Sequence, residues 1–152
     1  MIVLLDTNSL GILTHFNTKV NKNITKWLIS MRRAKVEVKV PEICDYELRR
    51  SLIRINSLVS INKLDFINQA FGYLPLNTDT IRLASQLWAD VRNKGFYTAS
   101  DKAIDGDVLL AAQAIIESKK PENNGRRVVI ATDNIKHLAK LTDADKWENI
   151  KP

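Results

Sequence analysis

Two short runs of uninterrupted apolar residues, each followed by an aspartate, constrain this chain most. They are Ile2-Val-Leu-Leu5 before Asp6, and Val128-Val-Ile-Ala131 before Thr132 and Asp133. A strand with one wet face alternates apolar and polar residues, whereas a strand covered on both faces does not. Both runs therefore predict buried parallel strands with helices packed on either side of the sheet. The acids that follow would stand at the carboxyl ends of those strands, where open parallel sheets form their sites.

The remaining pattern fits that frame. Asp6, Thr7, Asn8 and Ser9 offer helix caps before Leu10-Gly-Ile-Leu13, and His15 to Val20 reads as a loop. Ile24, Trp27, Leu28 and Met31 recur at helical spacing. Val36-Glu-Val-Lys-Val40 alternates up to Pro41 and predicts a second strand, followed by a helix over 43–58. Ser60-Ile-Asn-Lys63 is expected to interrupt it before another helix reaches about Phe71. Tyr73-Leu-Pro-Leu76 is a strand that Pro75 confines to an edge or an end. Asn77 and Thr78 cap a helix through Val91 that Gly95 stops. A loop is expected over 96–104, an Ala-rich helix over 108–116, and a polar loop over 119–127. A last helix holds Ile135, Leu138 and Leu141, and Trp147 to Ile150 is a candidate final strand. The order β-α-β-α-α-β-α-α-β-α predicts an α/β class chain. It would be a three-layer α/β/α sandwich on a central, mostly parallel sheet, with one domain over 1–152.

Composition narrows the function classes. The apolar share of 45% and charged share of 26% are those of an ordinary globular protein. No apolar run approaches the roughly 20 residues of a membrane helix, and the first residues have no signal-peptide character, so a cytoplasmic protein is expected. The single Cys44 excludes an intramolecular disulfide and reads as a small core residue. The net charge of +6 favours an anionic partner such as nucleic acid. The basic pairs Arg49-Arg50 and Arg126-Arg127 are candidate phosphate contacts. Trp27, Trp88 and Trp147 are read as core or dimer residues, and His137 as a helix-packing residue.

Against this basic background stand Asp6, Glu47, Asp105 with Asp107, and Asp133. Brought together, they repel: two carboxylates about 4 Å apart cost about 4 kcal/mol at an effective dielectric near 20. A divalent cation would offset that repulsion, and carboxylates are ligands for hard cations. Each acid also has an ordinary role open to it. Asp6, Asp107 and Asp133 suit helix N-caps, and Glu47 could pair with Arg50 or Arg54 on one helix face.

In order along the chain, the motifs are Val3-Leu-Leu-Asp6-Thr7-Asn8, Pro41-Glu-Ile-Cys-Asp-Tyr-Glu47-Leu48, Asp105-Gly-Asp107-Val-Leu-Leu-Ala-Ala112 and Val129-Ile-Ala-Thr-Asp133-Asn134-Ile-Lys-His137-Leu138. This set resembles the PIN-domain family, and within it the VapC-like toxins of bacterial toxin–antitoxin pairs. Each motif alone is common, and their order from Val3 to Leu138 is what carries the resemblance. It implies an α/β/α sandwich and a Mg²⁺- or Mn²⁺-dependent endoribonuclease. It further implies a homodimer and a small antitoxin protein as partner. By matching position, Asp6, Glu47, Asp107 and Asp133 are the acidic quartet, Asp105 is a second acid beside the third, and Asn8 and Thr132 orient the acids. Glu42 and Asp45 lie close enough to Glu47 to compete with it. The segments 55–72 and 119–127 are longer than in a compact family member.

On that resemblance, Asp6 and Asp107 are the expected nearest metal ligands. Asp133 would bind through water or complete a second site, Asp105 is a further candidate metal ligand, and Glu47 orients or deprotonates the attacking water. The sequence offers no Cys/His cluster of the zinc type. Two other readings are consistent with the residues. One is a PIN-like module that binds RNA or protein without cutting. The other is a phosphotransferase or phosphatase of another doubly wound class with Asp6 as nucleophile, for which Asn8 replaces the second acid of an Asp-x-Asp pair.

Overall fold

The two doubly apolar runs lie side by side. In this computed structural model, which describes residues 1–95 and 101–152, β1 (Ile2–Leu5) pairs in parallel with β4 (Val128–Ala131), Ile2 opposite Val128 and Leu5 opposite Ala131. Every residue of both strands is buried. β2 (Glu37–Pro41) flanks β1 on its other side and β3 (Gly72–Leu74) forms one edge, while β5 (Ala144–Asp145) forms the other. The order is β3-β2-β1-β4-β5 and every pairing is parallel, so the two acid-bearing strands occupy the middle of the sheet.

The helices are α1 (Thr7–Thr14), α2 (Thr18–Arg33), α3 (Glu42–Arg54), α4 (Leu58–Ala70), α5 (Thr78–Asn93), α6 (Asp101–Ser118) and α7 (Ile135–Leu138). They build the α/β/α sandwich around a core that runs from β1 and β4 through Leu10, Met31, Leu64 and Ile150. A second cluster of Ala84, Val91, Ile104, Val108 and Ala112 joins α5 to α6. Among the described residues, no helix is long and apolar enough to cross a membrane.

Local chemistry explains where the elements depart from expectation. The region read as a loop over His15 to Val20 already contains the start of α2, because the Asn17 side chain accepts from Lys19 N–H and caps it. The break between α3 and α4 falls at Ile55–Ser57 rather than Ser60–Lys63. Asn56 adopts φ 51°, a left-handed conformation that Asn tolerates, and helix hydrogen bonding ends there. The predicted final strand at Trp147–Ile150 is instead a turn packed on α2: the Trp27 indole donates to Ile150 O at 2.9 Å, and the Trp27 and Trp147 rings lie 5.8 Å apart. The last strand is β5, earlier in sequence.

The departure that matters for function concerns α6. A loop was expected over 96–104; residues 96–100 lie outside the described residues, and from Asp101 onward the chain is helical. Asp105 and Asp107 are therefore inside a helix and not at its N-terminus. Packing of Ile104 and Val108 against α5 holds this first stretch helical despite Gly106.

Candidate active site

Asp6 ends β1 and caps α1, accepting from Ser9 N–H at 2.7 Å. The same backbone turn brings Ser9 Oγ to Ala131 O at 2.8 Å, which ties the start of α1 to the end of β4. Asp6 is almost wholly buried, and burial pushes its pKa up; hydrogen bonds from Thr132 and Ser9 work against that, while repulsion from Asp133 adds to it. Thr132 is fully buried, and its hydroxyl also accepts from Asn134 N–H at 2.9 Å. It thus links Asp6 to the chain turn that carries Asp133.

Glu47 reaches the same place from one turn into α3. Thr7 Oγ1 donates to Glu47 Oε2 at 2.6 Å. Its other oxygen lies against the backbone of α6: a Cβ built on Gly106 would stand 2.5 Å from Glu47 Oε1. Asp107, the next residue along, is half-buried. Burial raises its pKa, His137 and Asn134 oppose the shift, and Glu47 reinforces it. Asp133 is exposed and accepts from Asn8 Nδ2 at 2.8 Å.

A cavity of about 320 Å³ results, lined by Asp6, Thr7, Asn8, Glu47, Asp107 and Asn134 on its polar side. Gly106, Cys44, Leu110 and Leu138 complete it. Burial pushes the Cys44 thiol well up, and the nearby carboxylates of Asp6 and Glu47 add to the effect, so it is a neutral wall residue. Three predicted acids thus line one cavity, and the fourth adjoins it through Asn8.

The other predicted residues go elsewhere. Asp105 lines a separate groove between α5 and α6, with Ile81, Trp88 and Val108. Glu42 accepts from Leu76 N–H at 2.6 Å, and Asp45 is buried under Arg49, Asn68 and Tyr73, so neither competes with Glu47. Arg49 bridges Asp45 and Asp65. Arg126 pairs with Glu37 and Arg127 with Asp143, both at the amino end of the sheet and opposite the acids. Arg50 is exposed, with its guanidinium 5.1 Å from the Tyr46 ring centroid. Sequence reading passed over Thr7, Gly106, Asn134 and His137. The first three adjoin an acid in sequence, and that adjacency was the available signal. His137, read as a helix-packing residue, extends from α7 toward α6 and places Nδ1 3.5 Å from Asp107 Oδ2.

Among the described residues, no three His, Cys, Asp or Glu side chains stand close enough to grip a metal ion as they are arranged. The donor set nevertheless suits a hard divalent cation. It consists of carboxylate and amide oxygens, and the acids' partners are hydroxyls, amides, a backbone N–H and one imidazole. Burial above all, with smaller contributions from the neighbouring carboxylates of Asp133 and Glu47, raises the pKa values of Asp6 and Asp107.

No protein-family model matches the sequence, and no curated protein matches it. Solved structures do match over nearly the full length. A chain of VapBC2 from Rickettsia felis, solved with a DNA fragment from its promoter, superposes with a TM-score of 0.74 at 18% identity, over 97% of this chain and 99% of that one. VapBC-1 from nontypeable Haemophilus influenzae gives 0.68 at 18% identity, over 98% and 100%. DNA-bound VapBC from Salmonella typhimurium gives 0.64 at 17%, over 97% and 98%. With the all-parallel sheet and the acids at its carboxyl edge, the chain has the PIN-like α/β/α fold found in these VapBC complexes.

Proposed function

We propose that this chain is a metal-dependent endoribonuclease and the toxin of a toxin–antitoxin pair, working in the cytoplasm. The observation that carries the reading is the convergence of Asp6, Glu47 and Asp107 on one cavity, with Asp133 tethered beside it. The antitoxin partner and the dimer are proposed on the fold shared with chains of VapBC complexes. The RNA substrate is proposed on the net charge of +6 together with the acid pocket.

In this reading Asp6 and Asp107 would hold Mg²⁺ or Mn²⁺, and Asp133 would assist through water or complete a second site. When bound, such a cation offsets phosphoryl charge and makes a bound water more acidic. Glu47, with Oε2 engaged by Thr7, keeps Oε1 to orient the attacking water and take its proton. Thr132 fixes Asp6 and Asn8 fixes Asp133, so the acids are held in place before substrate arrives. Arg50, exposed one turn beyond Glu47, is a basic side chain that could meet a phosphate.

The test is RNA cleavage by antitoxin-free protein in Mn²⁺, Mg²⁺ and EDTA, with Asp107→Asn in parallel. Metal-dependent cleavage lost in the variant is the expected result. Folded protein that binds RNA yet cleaves none of several RNA classes would favour a binding module.

A further inference from the structure

The outer face of α3 carries an aromatic ring next to an acid of the pocket. Tyr46 immediately precedes Glu47 and is 57% exposed, whereas Glu47 lines the cavity. The exposed Arg50 guanidinium lies 5.1 Å from the Tyr46 ring centroid. At about 100° of rotation per helical residue, Arg50 falls between the two around α3, about 40° from Tyr46 and about 60° from Glu47. Ring, guanidinium and carboxylate thus follow one another from open surface to pocket. Among the described residues, three other aromatic rings are exposed, and each is engaged elsewhere: Phe16 stacks on His15, Phe66 lines the groove between α2 and α4, and Tyr73 donates to Asp45. A bare ring beside a guanidinium suits a nucleobase, because every base has a face that stacks on an aromatic ring and arginine adds a cation–π contribution. The Cα atoms of Tyr46 and Glu47 are about 3.8 Å apart, so a strand with one phosphate at Glu47 has a neighbouring base within reach of Tyr46.

We propose that Tyr46 is a stacking platform for one unpaired nucleobase of the RNA, with Arg50 meeting the sugar–phosphate backbone beside it. The ring supplies affinity that depends on the base and tolerates any sequence, while Arg50 supplies affinity that depends on the phosphate. The inference rests on reading the pocket as a ribonuclease site.

Fluorescence anisotropy with the full, antitoxin-free chain in EDTA tests it on two labelled probes of about twelve nucleotides: a single-stranded RNA, and the same backbone carrying abasic riboses throughout. The native protein should bind the RNA more tightly than the abasic probe. Tyr46→Ala should lose roughly 5- to 150-fold in affinity for the RNA and little for the abasic probe. Tyr46→Phe keeps the ring and should bind both probes as the native chain does. Equal native affinity for the two probes would overturn the proposal without any variant. An equal loss on both probes in Tyr46→Ala would overturn it too, since the ring would then act only through Arg50 or the fold. So would unchanged RNA affinity in Tyr46→Ala, and a weaker dimer in sedimentation would in that case give the ring to a protein interface. A native chain that binds neither probe would overturn the RNA reading beneath the proposal, a result distinct from the others because it appears before probes or variants are compared. Tyr46 is exposed, so neither variant disturbs the core, and thermal melting verifies this.

Discussion

Gly106 and Glu47 meet across the packing of α3 on α6, and the meeting requires glycine: a Cβ at 106 would come within 2.5 Å of Glu47 Oε1. The atom in the way is the far end of a flexible side chain, so it is the carboxylate that must yield. Gly106→Ala should therefore leave the fold intact and displace Glu47 from its place beside Asp107. Alanine in a helix interior gains roughly 0.5–1 kcal/mol over glycine. The expected outcome is unchanged or higher stability in urea with RNA cleavage reduced by about 10²-fold. Native-level cleavage in Gly106→Ala would show that the position of Glu47 does not matter.

Asp107→Asn should abolish cleavage and raise thermal stability near neutral pH. The folded-state pKa of Asp107 lies above its ordinary value because of burial. Such a group favours the folded state only while protonated, and stability falls as pH rises from the unfolded value through the folded one. A neutral amide escapes that penalty. Added Mn²⁺ or Mg²⁺ should raise the melting temperature of the native chain and not of the variant. Scanning calorimetry with and without metal reads both effects.

Acid stability depends on a charge cluster far from the site. The Glu117 carboxylate is fully buried, 2.6 Å from Lys39 Nζ and 2.7 Å from Lys120 Nζ, and Asn123 donates to it at 2.7 Å. Burial alone would raise its pKa, but Lys120, Lys39 and Asn123 outweigh burial and hold it below the ordinary value; Glu37, paired with Lys39 and Arg126, is lowered too. This stabilisation is present above the unfolded-state pKa of about 4.3 and is lost as pH falls through the lower folded values. Glu117→Gln should cost about 1–3 kcal/mol at neutral pH and flatten the acid limb of the stability profile. Urea denaturation across that pH range measures it.

Arg49 and Arg50 are neighbours in sequence with opposite roles. Arg49 closes the Asp45–Asp65 cluster, so Arg49→Ala should lower stability by about 1–3 kcal/mol and leave RNA affinity in EDTA unchanged. Arg50 is exposed beside Tyr46, so Arg50→Ala should weaken RNA binding and lower the magnitude of its salt slope by about one, without loss of stability. Equal RNA affinity for native and Arg50→Ala would remove Arg50 from the interface.

Much of the frame was legible because it rests on local periodicity. Ile2–Leu5 and Val128–Ala131 lack alternation and are buried throughout, and β3, which ends just before Pro75, is an edge strand. The Asn77 cap and the Gly95 stop lie at the ends of α5. The first turns of α6 were not legible, since Asp101, Asp105 and Gly106 are weak helix formers and the packing of Ile104 and Val108 on α5 is not written in the local pattern. The division between Arg49 and Arg50, and between Asp45 and Glu47, was hidden as well. Rotation by one residue around a helix decides which side chain is buried, and the apolar pattern of α3 is too sparse to specify it.

By itself, the sequence determined that two strands would be covered on both faces and would each hand an aspartate to the carboxyl edge of a parallel sheet. Only the tertiary structure decided that these strands are neighbours, that Glu47 comes to rest on Gly106, and that Asn8 and Asn134 cross to acids from distant segments. The reason is physical: burial of a strand is written in its own alternation, whereas strand order and contacts between helices depend on long-range packing that no local pattern contains.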